Sequence, residues 1–464
     1  MFTQRLAEFV ANTQIKDIPV AVLRGSGHAM TDTMGCALAG TLEPVATAAT
    51  QWLNDIGARA QSTMWGGGVR TSPAEAAFAN GITSHALDFD DSLLSLRGHP
   101  SSTIVPAALA VGEAAKSSGQ SVLAAYALAL EVAGKIARAL GQGHYMRGYH
   151  ATATVGVFSA ATAAARLWGL NAVQIQAAWG LCASMSAGLL RNFGTMSKPF
   201  HAGHAARNGV MAAWMARNGF TADTGIFDGK NGYFVTYGGG DGERPEDLIA
   251  LLGKPWEMQA PGIYVKRWPC CYCNHRPIGG MLKLMKEHNI GAADVEAVEI
   301  GFLPGSDEAL LSTNPQTGLE GKFSIEYVAS ALLLDGKLTL ETFTDPMVQR
   351  PEIRKLIPKV KRCRMEAEGT FSGIFGYTDV VIVTKQGRFE TRVEHTPGSP
   401  AWPMSDDDRV EKFLDSAGRV LGTVGAQRLL GLLDNCASLA DISELVKATV
   451  PAPSAGKVAA TAPV

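Results

Sequence analysis

The sequence predicts a mostly α-helical protein with a second, smaller α+β domain. From the N-terminus to about residue 255, apolar residues recur at three- and four-residue spacing, the signature of one-sided helices. After about Pro261 the character changes to β-like runs, and after Pro400-Ala-Trp-Pro403 the helical spacing returns. A chain of 464 residues is also too long for one ordinary core, so two or three domains are expected.

In chain order, Met1-Phe-Thr-Gln-Arg-Leu-Ala-Glu-Phe-Val10 reads as an amphipathic helix start without the apolar run of a signal peptide. Ser121-Val-Leu-Ala-Ala-Tyr-Ala-Leu-Ala-Leu-Glu-Val and Gly156-Val-Phe-Ser-Ala-Ala-Thr-Ala-Ala-Ala-Arg-Leu are helices of small residues, suited to close packing. Gly141-Gln-Gly143, Trp168-Gly169 and Arg217-Asn218-Gly219 mark turns between such helices. In the second region Val295-Glu-Ala-Val-Glu-Ile300 reads as a strand, and Ile325 to Leu334 as one strong helix. Asp379-Val-Val-Ile-Val-Thr384 runs through Lys385-Gln-Gly387-Arg into Phe389-Glu-Thr-Arg-Val393, a hairpin pattern. Helical spacing from Ser405 through Leu445 is available to rejoin the first domain. The expected division is 1–260 plus 405–450 as the helical domain and 261–404 as the α+β domain. The tail 451–464, rich in Pro, Ala and Ser, is expected to be disordered.

Composition removes several classes of function. The chain is 46% hydrophobic and 18% charged, so it can bury large cores. A net charge of -2 with no long basic run argues against nucleic-acid or anionic-membrane partners. Around Ser121 to Leu140 the most apolar stretch is interrupted by Glu131, Lys135 and Arg138, so no membrane span is expected. Seven cysteines, an odd number in a long chain, do not suggest a disulfide framework. The expectation is a soluble, cytoplasmic protein.

The densest polar segment is His85-Ala-Leu-Asp88-Phe-Asp90-Asp91-Ser92, followed by Gly98-His99-Pro100-Ser101. On a helix Asp88 and Ser92 would share a face, with His85 and Asp91 flanking. The plain alternative is a polar helix end followed by a turn. His150, in Gly148-Tyr149-His150, precedes a helix of small residues, where a capping or core role competes with catalysis. In Ser197-Lys198-Pro199-Phe-His201-Ala-Gly-His204, Pro199 suits a first helical turn and places Lys198 at the positive helix end. A lysine there is unfavourable unless it binds an anion, which points to a carboxylate.

His201 and His204 lack a His-Glu-x-x-His context, so no metal is expected. Lys266-Arg267-Trp-Pro-Cys270-Cys271-Tyr-Cys273-Asn-His275 contains one C-x-x-C without a second half, which favours a buried polar loop over zinc or redox chemistry. Tyr327 would ordinarily be a core aromatic with a satisfied hydroxyl. Gly238-Gly-Gly240-Asp-Gly242 neither follows a strand nor opens a helix, and no Gly-x-Ser-x-Gly elbow is present. Jointly, His99, His150, Lys198 and Lys266 supply cations or proton carriers, and Asp88, Ser92 and Tyr327 supply acid, base and hydrogen bonds. Removing a proton from carbon beside a carboxylate needs this set and demands no metal or organic cofactor.

The same residues carry a resemblance. The 85–101 string, Tyr149-His150, Ser197-Lys198-Pro199-Phe-His201-Ala-Gly, Phe227-Asp-Gly-Lys-Asn-Gly232-Tyr, Lys266-Arg-Trp-Pro and Phe323-Ser-Ile-Glu-Tyr327-Val-Ala keep one order along nearly the whole chain. Together they resemble the MmgE/PrpD family of 2-methylcitrate dehydratase and cis-aconitate decarboxylase, whose fold iminodisuccinate epimerase shares. The resemblance implies a large all-helical domain with a smaller inserted α+β domain, an active site at their junction and a homodimer. It implies cofactor-free chemistry on a small polycarboxylate, with Asp88, His99, His150, Lys198 and Tyr327 as catalytic residues. Ser92, Lys266 and His275 would bind substrate, Ser92 standing where the decarboxylase has Thr.

Three departures leave the substrate open. The spacer from Asp88 to His99 is one residue longer than in the decarboxylase. Cys270 and Cys271 replace its Ala and His, and the Asp-Phe-Asn-Asp-Thr-Trp type segment of 2-methylcitrate dehydratases is not reproduced. The expected activity is a dehydratase-type lyase, with epimerase or decarboxylase as alternatives.

Overall fold

A computed structural model describes residues 1–369, 371 and 376–452, so the expectation for the tail beyond residue 452 lies outside the described residues. The chain divides into two compact units. The first comprises Met1–Ala86, Ser95–Ala260 and the chain from Ser416 on; the second comprises Leu87–Leu94 and Pro261–Asp415. The fold is mostly helical, with a smaller α+β part.

Small side chains decide how the helices of the first unit meet. Helices Pro73–His85, Ser101–Ala115, Gly119–Leu140, Gly156–Leu167 and Ser197–Arg217 pack on one another. Pro73–His85 starts with Ser72 accepting the Glu75 N–H and with Pro73 at its first turn. It then lies against Ser197–Arg217 at glycines: a Cβ on Gly81 would sit 2.8 Å from the Gly203 Cα, and one on Gly203 2.4 Å from the Phe78 carbonyl oxygen. Only hydrogen fits at that crossing, which brings the ends carrying His85 and Lys198 to the same region of the unit.

Two of the charges that interrupt the apolar run in Gly119–Leu140, Glu131 and Lys135, are buried together. Lys135 Nζ lies 2.9 Å from Glu131 Oε1 and 2.8 Å from Glu257 Oε1, while Glu131 accepts the N–H groups of Gly253 and Glu257. Paired and hydrogen-bonded, these ions are tolerated in a core. Among the described residues, no helix is long and apolar enough to cross a membrane.

The second unit is built on a four-stranded sheet ordered Val360–Arg364, Val295–Phe302, Thr378–Thr384, Gly387–Val393. The first pair is parallel and the others antiparallel, with Thr384 opposite Gly387 closing the hairpin. The parallel pair requires a crossover, and helix Ile325–Asp335 lies within it. Ser324 caps that helix by accepting the Tyr327 N–H, and Gly336 ends it in the left-handed region. The strand Val360–Arg364 escapes sequence reading because it is an edge: of Val-Lys-Arg-Cys-Arg only Val360 is buried, so no alternation shows.

Two boundaries differ from the sequence-based division. Leu87–Leu94 belongs to the second unit, tied there by Ser92–Leu93 pairing with Ile263–Tyr264. The helical run Asp406–Asp434 is broken at Gly422 (φ +67°), and its first turns, to Asp415, belong to the second unit. Arg267 bonds Asp408 there, and Lys412 donates to the carbonyls of Phe89 (2.9 Å) and Lys266 (2.8 Å).

Candidate active site

The first unit gathers four imidazoles and one lysine. His85 ends helix Pro73–His85, and its ring centre lies 4.4 Å from that of His99 and 6.1 Å from that of His150. His99 follows Gly98, where a Cβ would sit 2.7 Å from Thr152 Oγ1; that approach lets the His99 N–H donate to the same oxygen at 3.0 Å. His150 stands at the N-cap of the short helix Ala151–Thr154, its N–H on the Gly188 carbonyl at 3.0 Å. Its Nδ1 is 3.0 Å from Nδ1 of His201.

Lys198 is the second residue of Ser197–Arg217, with Pro199 next to it where a missing N–H does no harm. Its ammonium lies 5.0 Å over the Phe193 ring, and Phe193 meets the His150 ring edge-on at 4.8 Å. His204, one turn past Phe200, turns instead to Asn208 at 2.8 Å.

Burial and like charge hold His150 and His201 toward the neutral form. His150 is held well below the ordinary histidine pKa by desolvation first, then by His85, Lys198, His99 and His201. His201 is lowered to about 4 by desolvation, with His85, His204 and Lys198 adding to it. A neutral imidazole beside an ammonium can accept a proton, and a bound polyanion would raise its affinity for one.

The second unit holds the acidic segment. The expectation that Asp88 and Ser92 share a helical face is corrected: the helix ends at His85, Asp88 is left-handed (φ +51°), and Ser92 lies in a two-residue strand. Aspartate tolerates that conformation better than most residues, and the ladder to Ile263–Tyr264 stops the helix from continuing. Lys266, 5% exposed, reaches Asp88 Oδ2 at 3.1 Å and donates to the Asp88 carbonyl as well. Burial works against its charge, but Asp88, Asp90 and Cys271 outweigh it and raise its pKa. Asp90 and Asp91 are fully buried. None of the seven cysteines, all of them among the described residues, forms a disulfide.

Tyr327 and His275 lie inside the second unit, both 0% exposed. The Tyr327 hydroxyl donates to the Thr342 carbonyl. His275 stacks on Tyr272 at 4.9 Å and meets Trp268 edge-on, and burial pulls its pKa to about 3. Of the candidates, the structure therefore brings together His99, His150 and Lys198 in one unit and Asp88 and Lys266 in the other. Sequence reasoning did not select His85, His201 or Phe193. The legible signals were His201 three residues after Lys198, on the same helix face, and His85 at the end of a helical run.

Comparison with known proteins places the chain in a family. The MmgE/PrpD N-terminal domain model matches residues 4–246 and the MmgE/PrpD C-terminal domain model matches residues 268–437. The chain belongs to the MmgE/PrpD family. Similar proteins include the human cis-aconitate decarboxylase, 27% identical over 99% of this chain and 97% of that protein. The mouse cis-aconitate decarboxylase is 27% identical over 96% of this chain and 92% of its own length. That of Aspergillus terreus strain NIH 2624 is 24% identical over 96% and 95%. As a member of MmgE/PrpD, the chain places His99, His150 and Lys198 in the N-terminal domain region, and Tyr327 in the C-terminal one.

Proposed function

We propose that this protein is a cofactor-free lyase of small polycarboxylates, with cis-aconitate the first substrate to test. The observation that carries the reading is the group of His85, His99, His150 and His201 beside Lys198, where a bound polyanion would favour protonation of the buried imidazoles. Cis-aconitate comes first because relatives that carry that name match nearly the whole chain.

Lys198 would hold a substrate carboxylate, displacing its ammonium from the Phe193 ring. The trianion's charge raises the His150 pKa, so the imidazole takes a proton from solvent. In decarboxylation the bond to the leaving carboxylate breaks and its electron pair forms a new C=C. The pair of the old double bond takes the proton from His150, which returns to neutral, and CO2 departs. Lys198 and His99 stabilise the charge that builds up during this shift.

A second reading, dehydration of 2-methylcitrate, uses His150 in its neutral form to remove the proton beside a carboxylate. It stays in the test because Cys270 and Cys271 stand where the decarboxylase pattern has Ala and His. An epimerase would exchange the proton without elimination.

One experiment separates these readings: incubation in D2O with cis-aconitate, 2-methylcitrate and each iminodisuccinate stereoisomer, followed by NMR. Release of CO2 with a deuterated methylene product is the expected result. Loss of a hydroxyl with a new alkene selects dehydration, and deuterium at Cα with inverted configuration selects epimerisation. If none of the compounds changes, the lyase reading fails.

A further inference from the structure

We propose that His201 is the positioning residue that sets the tautomer of His150: its Nδ1 accepts the His150 Nδ1–H, which leaves the lone pair on His150 Nε2 to exchange the substrate proton. The shared hydrogen rests on geometry, while its direction and its catalytic consequence rest on the proposed lyase reading.

Two imidazole Nδ1 atoms 3.0 Å apart must share one hydrogen. Two lone pairs at that distance repel, and two N–H groups clash, so one ring donates and the other accepts. A doubly protonated pair is excluded by its surroundings. His85, His99 and Lys198 act on His150, and His85, His204 and Lys198 act on His201, all with the same sign of charge. Arg207 in turn acts on His204.

Ring placement fixes which atoms face each other. The His150 backbone is pinned to the Gly188 carbonyl, and its ring is bounded by the Phe193 edge at 4.8 Å and by His85 at 6.1 Å. His201 is carried one helical turn after Lys198 on Ser197–Arg217, and both rings are buried, at 1% and 6% exposure. Of the two possible directions, only donation from His150 leaves a lone pair on Nε2 of the neutral ring, and taking a proton there makes the ring cationic.

When Nε2 is protonated, the Nδ1–H···Nδ1 bond persists and strengthens as a charge-assisted bond. Releasing that proton to carbon restores the starting tautomer, so the ring never has to flip between turnovers. The device works in either direction of proton transfer at Nε2.

The test uses full-length protein with 15N-labelled histidine, together with kinetics of His201→Ala and His201→Asn. In the wild-type protein at neutral pH the His150 Nε2 resonance is expected to be that of an unprotonated nitrogen. His201→Ala should mix the tautomers and lower kcat on the order of 10²-fold, the scale of a misassigned general base. KM should stay within about threefold, because His201 does not hold substrate. The acidic limb of the kcat/KM profile should also rise, since opening the His201 side hydrates His150.

His201→Asn, whose amide oxygen can accept the His150 Nδ1–H, should restore the tautomer and most of the activity. A wild-type spectrum with Nε2 protonated overturns the proposal, and so does a His201→Ala variant with unchanged kcat and pH profile. Loss of activity in both variants with the tautomer unchanged makes His201 structural and also overturns it. Should no polycarboxylate turn over, the lyase reading fails on its own, and the spectrum still decides the tautomer.

Discussion

The two units hold their candidate residues in contrasting electrostatic states. Around Leu87–Leu94 the buried ammonium groups have acceptors: Lys266 has the Asp88 carboxylate and carbonyl, and Lys412 has two carbonyls and the Phe89 ring at 3.9 Å. Around His150 the charged neighbours all push one way, disfavouring the protonated ring. The first arrangement is settled without a ligand. The second is suited to an anion, and binding one changes its protonation. The difference teaches where to look for the proton-transfer step: at the group whose state a substrate can alter, rather than at the most conspicuous carboxylates.

Lys198→Ala tests that contrast most severely. Losing the ammonium beside His150 is expected to lower kcat/KM on the order of 10²- to 10³-fold, in the range seen when a fixed charge-stabilising donor is removed. KM should rise as well, because Lys198 holds substrate in the ground state. Lys198→Arg should recover part of the binding, the fork replacing a point charge. Wild-type steady-state kinetics in Lys198→Ala would erase the distinction between the two regions.

Acid and alkali should separate the regions next. The folded pKa of His201, about 4, lies below the unfolded value of 6.5. Between these values the unfolded chain binds more protons, so this contribution is full above pH 6.5 and is lost as pH falls toward 4. His150 acts in the same direction. Lys266 has a raised pKa, so its contribution is full below the ordinary lysine value of 10.5 and disappears only as pH rises beyond it. Urea midpoints are therefore expected to fall between about pH 7 and about pH 5, and less in His201→Asn than in the wild-type protein. A polycarboxylate ligand should oppose the fall. Equal acid sensitivity in the variant would remove His201 from the account.

Gly98→Ala should have a smaller effect and is confined to the first unit. The new Cβ meets Thr152 Oγ1 at 2.7 Å and the Thr152 backbone nitrogen at 2.9 Å, neither of which is the end of a long flexible chain. A cost of about 1–3 kcal/mol is expected from such overpacking. Because His99 and the Ala151–Thr154 helix share that contact, kcat should fall together with stability, as read by denaturation and kinetics on one preparation.

Much of this was legible before the structure. The long apolar periodicities gave the helices, the Asp379–Val393 pattern gave the hairpin, and Pro199 correctly marked a first helical turn with Lys198 in it. What stayed hidden depends on partners distant in sequence. Leu87–Leu94 looks like part of a helical domain until Ile263–Tyr264 and Lys266, far along the chain, claim it. Edge strand Val360–Arg364 carries three basic residues because one side has no neighbour to demand alternation. No local pattern announces that the partner of His201 is an imidazole 51 residues away. Burial was hidden too: Tyr327 and His275 stand in motif positions, yet both are enclosed in their own unit.

Tyr327 gives the smallest expected effect and the sharpest check on that last point. Its hydroxyl is committed to the Thr342 carbonyl, and its ring lies 6.0 Å from Phe343 within the buried cluster of the second unit. Burial also pushes the phenol pKa up, so the group stays protonated and keeps donating. Tyr327→Phe conserves the ring and removes one bond, leaving a buried carbonyl unsatisfied. The expected cost is about 1 kcal/mol of stability. With the hydroxyl held in this bond, kcat should change by no more than about twofold. A kcat loss above about tenfold without a matching loss of stability would mean that the hydroxyl leaves Thr342 to meet substrate. Tyr327 would then join Lys198 and His150 in the chemistry, and the second unit would no longer be the electrostatically settled member of the pair.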